Sequence, residues 1–245
     1  MRFSTILSAC VAIAGVNAAP AGWSPGSAKW LAEIGDYISH ANQGFPRQPT
    51  CDLSKAVLPS NPQLSEVPQD QKLLAVTIGR GTQNYTCAGL SPDEAPKATG
   101  AVATLFDASC IASNYPLLLS LLPNLALELT NPPPSSNARG PVDLMAMGHH
   151  YFDWEGVPTF DLQKLGICGV KKGDSKPAPP NAMKGVKKEQ EGAVNWLMLE
   201  SVPSSQGQAK RVYRVNTAGG KAPATCAGLP EQIQIQYAAQ YWFYG

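Results

Sequence analysis

The chain has 245 residues, 19 of them basic and 18 acidic, and therefore carries almost no net charge. That balance argues against a nucleic-acid partner, which requires a clustered basic face, and no stretch reaches the roughly 20 consecutive apolar residues of a membrane-spanning helix. A chain of this length can bury one sizeable core, so a single domain is expected.

The chain opens with MRFSTILSACVAIAGVNAAPAG, which places Arg2 before an apolar run from Ile6 to Val16 and then the small-residue site Val16-Asn17-Ala18. This is the pattern of a secretory signal peptide over residues 1–18, and it makes the expected localisation secreted and extracellular. Residues 19–50 read as an N-terminal helix and lead-in. Trp30, Leu31, Ile34, Tyr37 and Ile38 recur at helical spacing within 27–42. From Gly44 to Asp70 the chain is rich in Pro, Gln and Ser, which predicts an extended approach.

Residues 51–245 read as one β-rich domain, because short apolar runs alternate with Gly/Pro turns. Strands are expected over 73–78, 82–88, 101–106, 142–151, 193–199, 211–215 and 232–244. The last is the clearest: Ile233, Ile235, Tyr237, Ala239, Tyr241 and Phe243 alternate with Gln232, Gln234 and Gln236, giving one apolar face. VNWLMLE (194–200) is apolar on both faces and predicts a central strand. YPLLLSLLPNLALEL (115–129) is broken by Pro123 and Asn124 and reads as buried core. The Lys/Pro-rich segment 171–192 has little to bury and reads as a mobile, protease-sensitive loop. The expected fold is mostly β: an antiparallel sandwich or partly closed barrel with one or two short peripheral helices.

AVTIGRGTQNYTC (75–87) superficially matches the glycine-rich turn of a dinucleotide site. Asn84 stands where the third glycine belongs, and it opens the glycosylation sequon Asn84-Tyr85-Thr86. The preferred reading is a hairpin turning at Gly79-Arg80-Gly81, with Tyr85 and Cys87 facing inward. Gly22-Trp23-Ser24-Pro25-Gly26 imitates a nucleophile elbow, but Pro25 has no N–H to give an oxyanion hole.

GHHYFDWE holds the candidate binding residues His149, His150, Tyr151, Asp153 and Trp154. Strand alternation sends His149, Tyr151 and Asp153 to one face and His150 to the other, so the adjacent histidines cannot grip one ion and no metal site is assigned. Asp153 and Glu155 flank Trp154 as a glycosidase acid pair would, although a solvated turn with one exposed ring is the simpler reading. Cys51, Cys87, Cys110, Cys168 and Cys226 lie beyond the signal segment and allow two disulfides and one free thiol.

GRGTQNYTC, ATLFDASC, GHHYF, VYRVNTAGGKAPATC and YAAQYWFY together resemble a family of secreted proteins whose domain has no known function, and whose fungal members often carry the label malate dehydrogenase. The resemblance runs from about Cys51 to the C-terminus and implies a filamentous-fungal producer. It also implies a Cys87–Cys226 pair, with a second bridge among Cys51, Cys110 and Cys168. It supplies no catalytic residues and no cofactor, and the dehydrogenase label has no dinucleotide fingerprint behind it. The expected function is non-catalytic binding of a cell-wall polysaccharide or an extracellular protein. The alternative is a secreted carbohydrate-active hydrolase using Asp153 or Glu155, or a weak metal-dependent enzyme built on His149.

Overall fold

The computed structural model describes residues 51–128, 146–186 and 191–245. The signal segment, the expected helix at 27–42, residues 142–145 of one expected strand and residues 187–190 of the lysine-rich segment lie outside them.

Antiparallel strands close into an eight-stranded barrel in sequence order: β1 (Leu73–Thr86), β2 (Lys97–Asp107), β3 (Ala146–Phe152), β4 (Pro158–Asp161), β5 (Ile167–Lys176), β6 (Trp196–Ser201), β7 (Arg211–Gly219) and β8 (Gln232–Tyr244). β8 pairs with β1 from Leu73↔Tyr244 to Thr86↔Gln232, which removes both sheet edges. Of the sandwich and the partly closed barrel expected from the sequence, a barrel is what forms, and it closes completely. Two short helices, α1 (Ser109–Asn114) and α2 (Pro116–Glu128), follow β2 and pack on the outside.

The hairpin expected at Gly79-Arg80-Gly81 does not exist. β1 runs straight through these residues as a 14-residue strand between β2 and β8. The glycines serve packing: a Cβ at Gly79 would come within 2.5 Å of the Tyr241 ring, and one at Gly81 would strike the β2 backbone at Val102 and Ala103. Arg80 points outward, donating from Nε to Ala126 O (2.7 Å) and from Nη2 to Leu127 O (3.4 Å). It thus ties the C-terminal end of α2, where a cation is favoured, to the barrel wall.

The segment read only as buried core is α2, with Pro123 inside it and Leu118, Leu119, Pro123 and Leu127 buried. Residues 171–176 of the lysine-rich segment are strand, not loop. β6 supplies backbone partners from Lys171↔Glu200 to Lys176↔Trp196, while Lys171, Lys172 and Lys176 keep their side chains in water. β4 and β5 were not expected from the sequence at all.

Two cores result. Inside the barrel, Leu105, Phe160, Val170, Leu199, Val212, Tyr237, Tyr241 and Phe243 pack together. Outside it, Val76, Ile78, Trp196, Met198, Tyr213, Val215, Trp242 and Tyr244 are covered by α1, α2 and Leu64 of the lead-in. β8 is therefore apolar on one face only at its start; from Ala238 onward both faces are buried. Cys87–Cys226 joins the end of β1 to the β7–β8 loop, and Cys51–Cys110 fastens the lead-in to α1. Cys168 is free and buried, and burial pushes its thiol pKa up.

Candidate functional site

The β3–β4 turn is built by Asp153. Its N–H donates to Val157 O (3.0 Å), and its Oδ1 accepts from the N–H groups of Glu155 (2.9 Å) and Val157 (2.8 Å). Gly156 completes the turn at φ 79, a left-handed conformation that suits glycine. This lattice holds the backbone on both sides of Trp154, whose side chain is 91% exposed. A large ring on a fixed backbone loses little entropy on contact, which suits it to recognition. Exposed His149 faces out opposite Thr104 and Asp161, and half-buried Tyr151 lies opposite Thr159. Val102 and Ile167, both exposed, belong to the same uncovered part of the wall.

His150 points the other way, into the barrel, and is 4% exposed. Its Nδ1–H donates to Thr159 O (2.9 Å), since a carbonyl can only accept. Its ring stacks on Phe160 at 4.3 Å and lies 5.9 Å from the rings of Phe152 and Tyr241. Burial among these rings lowers its pKa to about 4, so it is neutral at pH 7. Tyr237 and Tyr241 share a hydrogen bond between hydroxyls (2.9 Å), and burial pushes both pKa values up.

Arg214 also faces inward, by its alternation with the outward Tyr213 and Val215. Its Nε and Nη2 donate to Asn195 O (3.2 and 3.0 Å), and its charge opposes the upward shifts of Tyr85, Tyr237 and Tyr241. Tyr85 donates to Gly220 O (2.6 Å). Sequence reasoning passed over this interior arginine. In RVYRV, Arg214 shares the parity of Val212 while Arg211 shares that of Tyr213 and Val215, so the pattern alone did not mark which arginine faces inward.

The chain matches a family over residues 68–245. It belongs to the family described as Protein of unknown function (DUF3455). No curated protein and no solved structure matches it. The matched span takes in every strand of the DUF3455 barrel together with Cys87 and Cys226, and leaves out Cys51 and most of the lead-in.

In this DUF3455 chain the five residues singled out from the sequence thus divide. His149, Tyr151, Asp153 and Trp154 lie on the outer face and the β3–β4 turn, while His150 is part of the interior packing. Among the described residues, no group of three or more His, Cys, Asp or Glu side chains is placed to hold a metal ion. Asn84 lies on β1, half-exposed, with Oδ1 accepting from the Thr82 hydroxyl (3.0 Å). No described helix is long and apolar enough to cross a membrane.

Proposed function

We propose that this protein is a secreted, non-catalytic binding protein of a filamentous fungus, glycosylated at Asn84, that holds a cell-wall polysaccharide or an extracellular protein through the β3–β4 turn. The signal-peptide pattern supports secretion, and two disulfides are compatible with an oxidising compartment. The observation that carries the binding reading is the turn itself: Asp153 commits its carboxylate oxygen to the backbone and leaves Trp154 almost wholly exposed. An exposed indole on a rigid mount offers a flat apolar face to a sugar ring or a protein surface.

The proposal includes no nicotinamide chemistry. Pyrophosphate binding needs a glycine turn at a helix N-terminus, whereas Gly79 and Gly81 lie inside a strand with neighbours on both sides. Retention of the purified protein on insoluble cell-wall polysaccharides, with extracellular protein extracts run in parallel, tests the reading. Trp154→Ala is expected to reduce retention at least about tenfold, the loss of one hot-spot aromatic. Equal retention of the variant would remove Trp154 from the site.

A further inference from the structure

A second surface lies on the covered side of the barrel. α2, the β5–β6 loop, β6 and β7 enclose a groove of about 390 Å³. Its lining includes Asn61, Asn124, Asn181 and Asn216, together with Ser120 and Thr217, whose hydroxyls donate to Leu117 O (2.6 Å) and Val194 O (2.6 Å). Among the described residues none of these four carboxamides makes a hydrogen bond. The same lining contains Trp196, which is 1% exposed and whose indole N–H is buried without a partner. A buried donor left unpaired costs about 1–3 kcal/mol, so an acceptor brought into reach of it recovers that cost.

The chemistry of the lining selects the ligand. Among the described residues its lining has no carboxylate and no cation, so none of them favours an ion. Each carboxamide offers both donors and an acceptor, and a sugar hydroxyl likewise both donates and accepts. We infer that this groove binds a neutral saccharide, with Asn124, Asn181 and Asn216 bonding its hydroxyls and the Trp196 N–H donating to one of its oxygens. The inference does not depend on Trp154, which stands on a different turn.

Nitrogen–proton NMR of the labelled protein tests it, because the Trp196 indole gives its own resonance, identified by its loss in Trp196→Phe. The probes are cellotriose and tri-N-acetylchitotriose, with trigalacturonic acid as the charged control and triglycine amide as a neutral peptide control. A neutral trisaccharide is expected to move the Trp196 indole resonance saturably, with a dissociation constant of about 1 mM or tighter. Asn124→Ala with Asn216→Gly should weaken that binding at least about tenfold, roughly 1.4 kcal/mol. Asn216 has φ 46, so glycine there removes the amide while suiting the backbone. Trp154→Ala should leave the titration unchanged, which separates this site from the β3–β4 turn.

Absence of a saturable shift with both neutral trisaccharides overturns the inference, and needs only the unmutated protein. Equal affinity for trigalacturonic acid overturns the neutral assignment. A response to triglycine amide in place of the sugars makes the groove a peptide site. Undiminished binding by the asparagine variant moves the site elsewhere.

Discussion

The two halves of the barrel wall are built differently. β1, β6, β7 and β8 are buried on both faces, one by the interior and the other by α1, α2 and the lead-in. β2 to β5 bury mainly the inner face and show water Val102, His149, Ile167 and, on the connecting turn, Trp154. Large aromatics on the first half, such as Tyr213 and Trp242, are structural because something covers them. Trp154 is the same residue type with nothing over it. The covering helices, rather than the strands, decide which aromatic side chains are available for contact.

Substitutions matched across the two halves can break this contrast. The largest effect is expected from Trp242→Ala, which empties a site 1% exposed beneath the helices; a loss of about 3–5 kcal/mol should appear in urea unfolding. A loss below about 1 kcal/mol would mean that the outer core is loosely packed.

Next comes His150, inside the wall of the bare half. Its folded pKa of about 4 lies below the 6.5 of an unperturbed histidine, so the unfolded chain binds the proton first. Stability from this group is full above about pH 6.5 and is lost as pH falls towards 4, by roughly 3 kcal/mol in total. Unfolding between pH 7.5 and 4 should show this dependence reduced in His150→Phe relative to wild type. Identical pH profiles would mean that the histidine has the same pKa folded and unfolded, as a solvated imidazole does.

Gln240 sharpens the comparison on the covered side. Its Nε2 donates to Leu119 O (2.8 Å) and its Oε1 accepts from the Trp242 indole (3.1 Å), so one buried amide links helix to barrel. Gln240→Leu strands both partners and should cost about 1–3 kcal/mol, with faster hydrogen exchange in α2. The smallest effect belongs to Trp154→Ala, expected to change stability by no more than about 0.5 kcal/mol. A larger loss by thermal unfolding would place Trp154 in the core.

Much of the barrel is legible in the sequence wherever strands are long and alternate. β8 occupies the residues its period of two marks out, and the Cys87–Cys226 pair implied by the family resemblance is present. β4 is four residues, too short for any period to register. β5 carries lysines, glycine and aspartate, and only pairing with β6 makes it a strand. The glycines of β1 look like a turn because a sequence window cannot show Tyr241, more than 150 residues away, claiming the space beside Gly79. At the β3–β4 turn the candidate residues were legible individually, but the capture of Asp153 by its own backbone was not. The asparagines of the groove come from four separate segments, and no local pattern joins them.

Alternation, turn residues, cysteine number and charge balance are local or summed properties, so the sequence by itself determined a near-neutral, β-rich domain with an inward face on β8. Closure of β8 onto β1, the choice of Cys110 as partner for Cys51 with Cys168 left buried, and the covering of one half of the wall were decided only by the tertiary structure. Each joins residues far apart in the chain, and their loop-closure entropy is offset only when the whole set of contacts forms together.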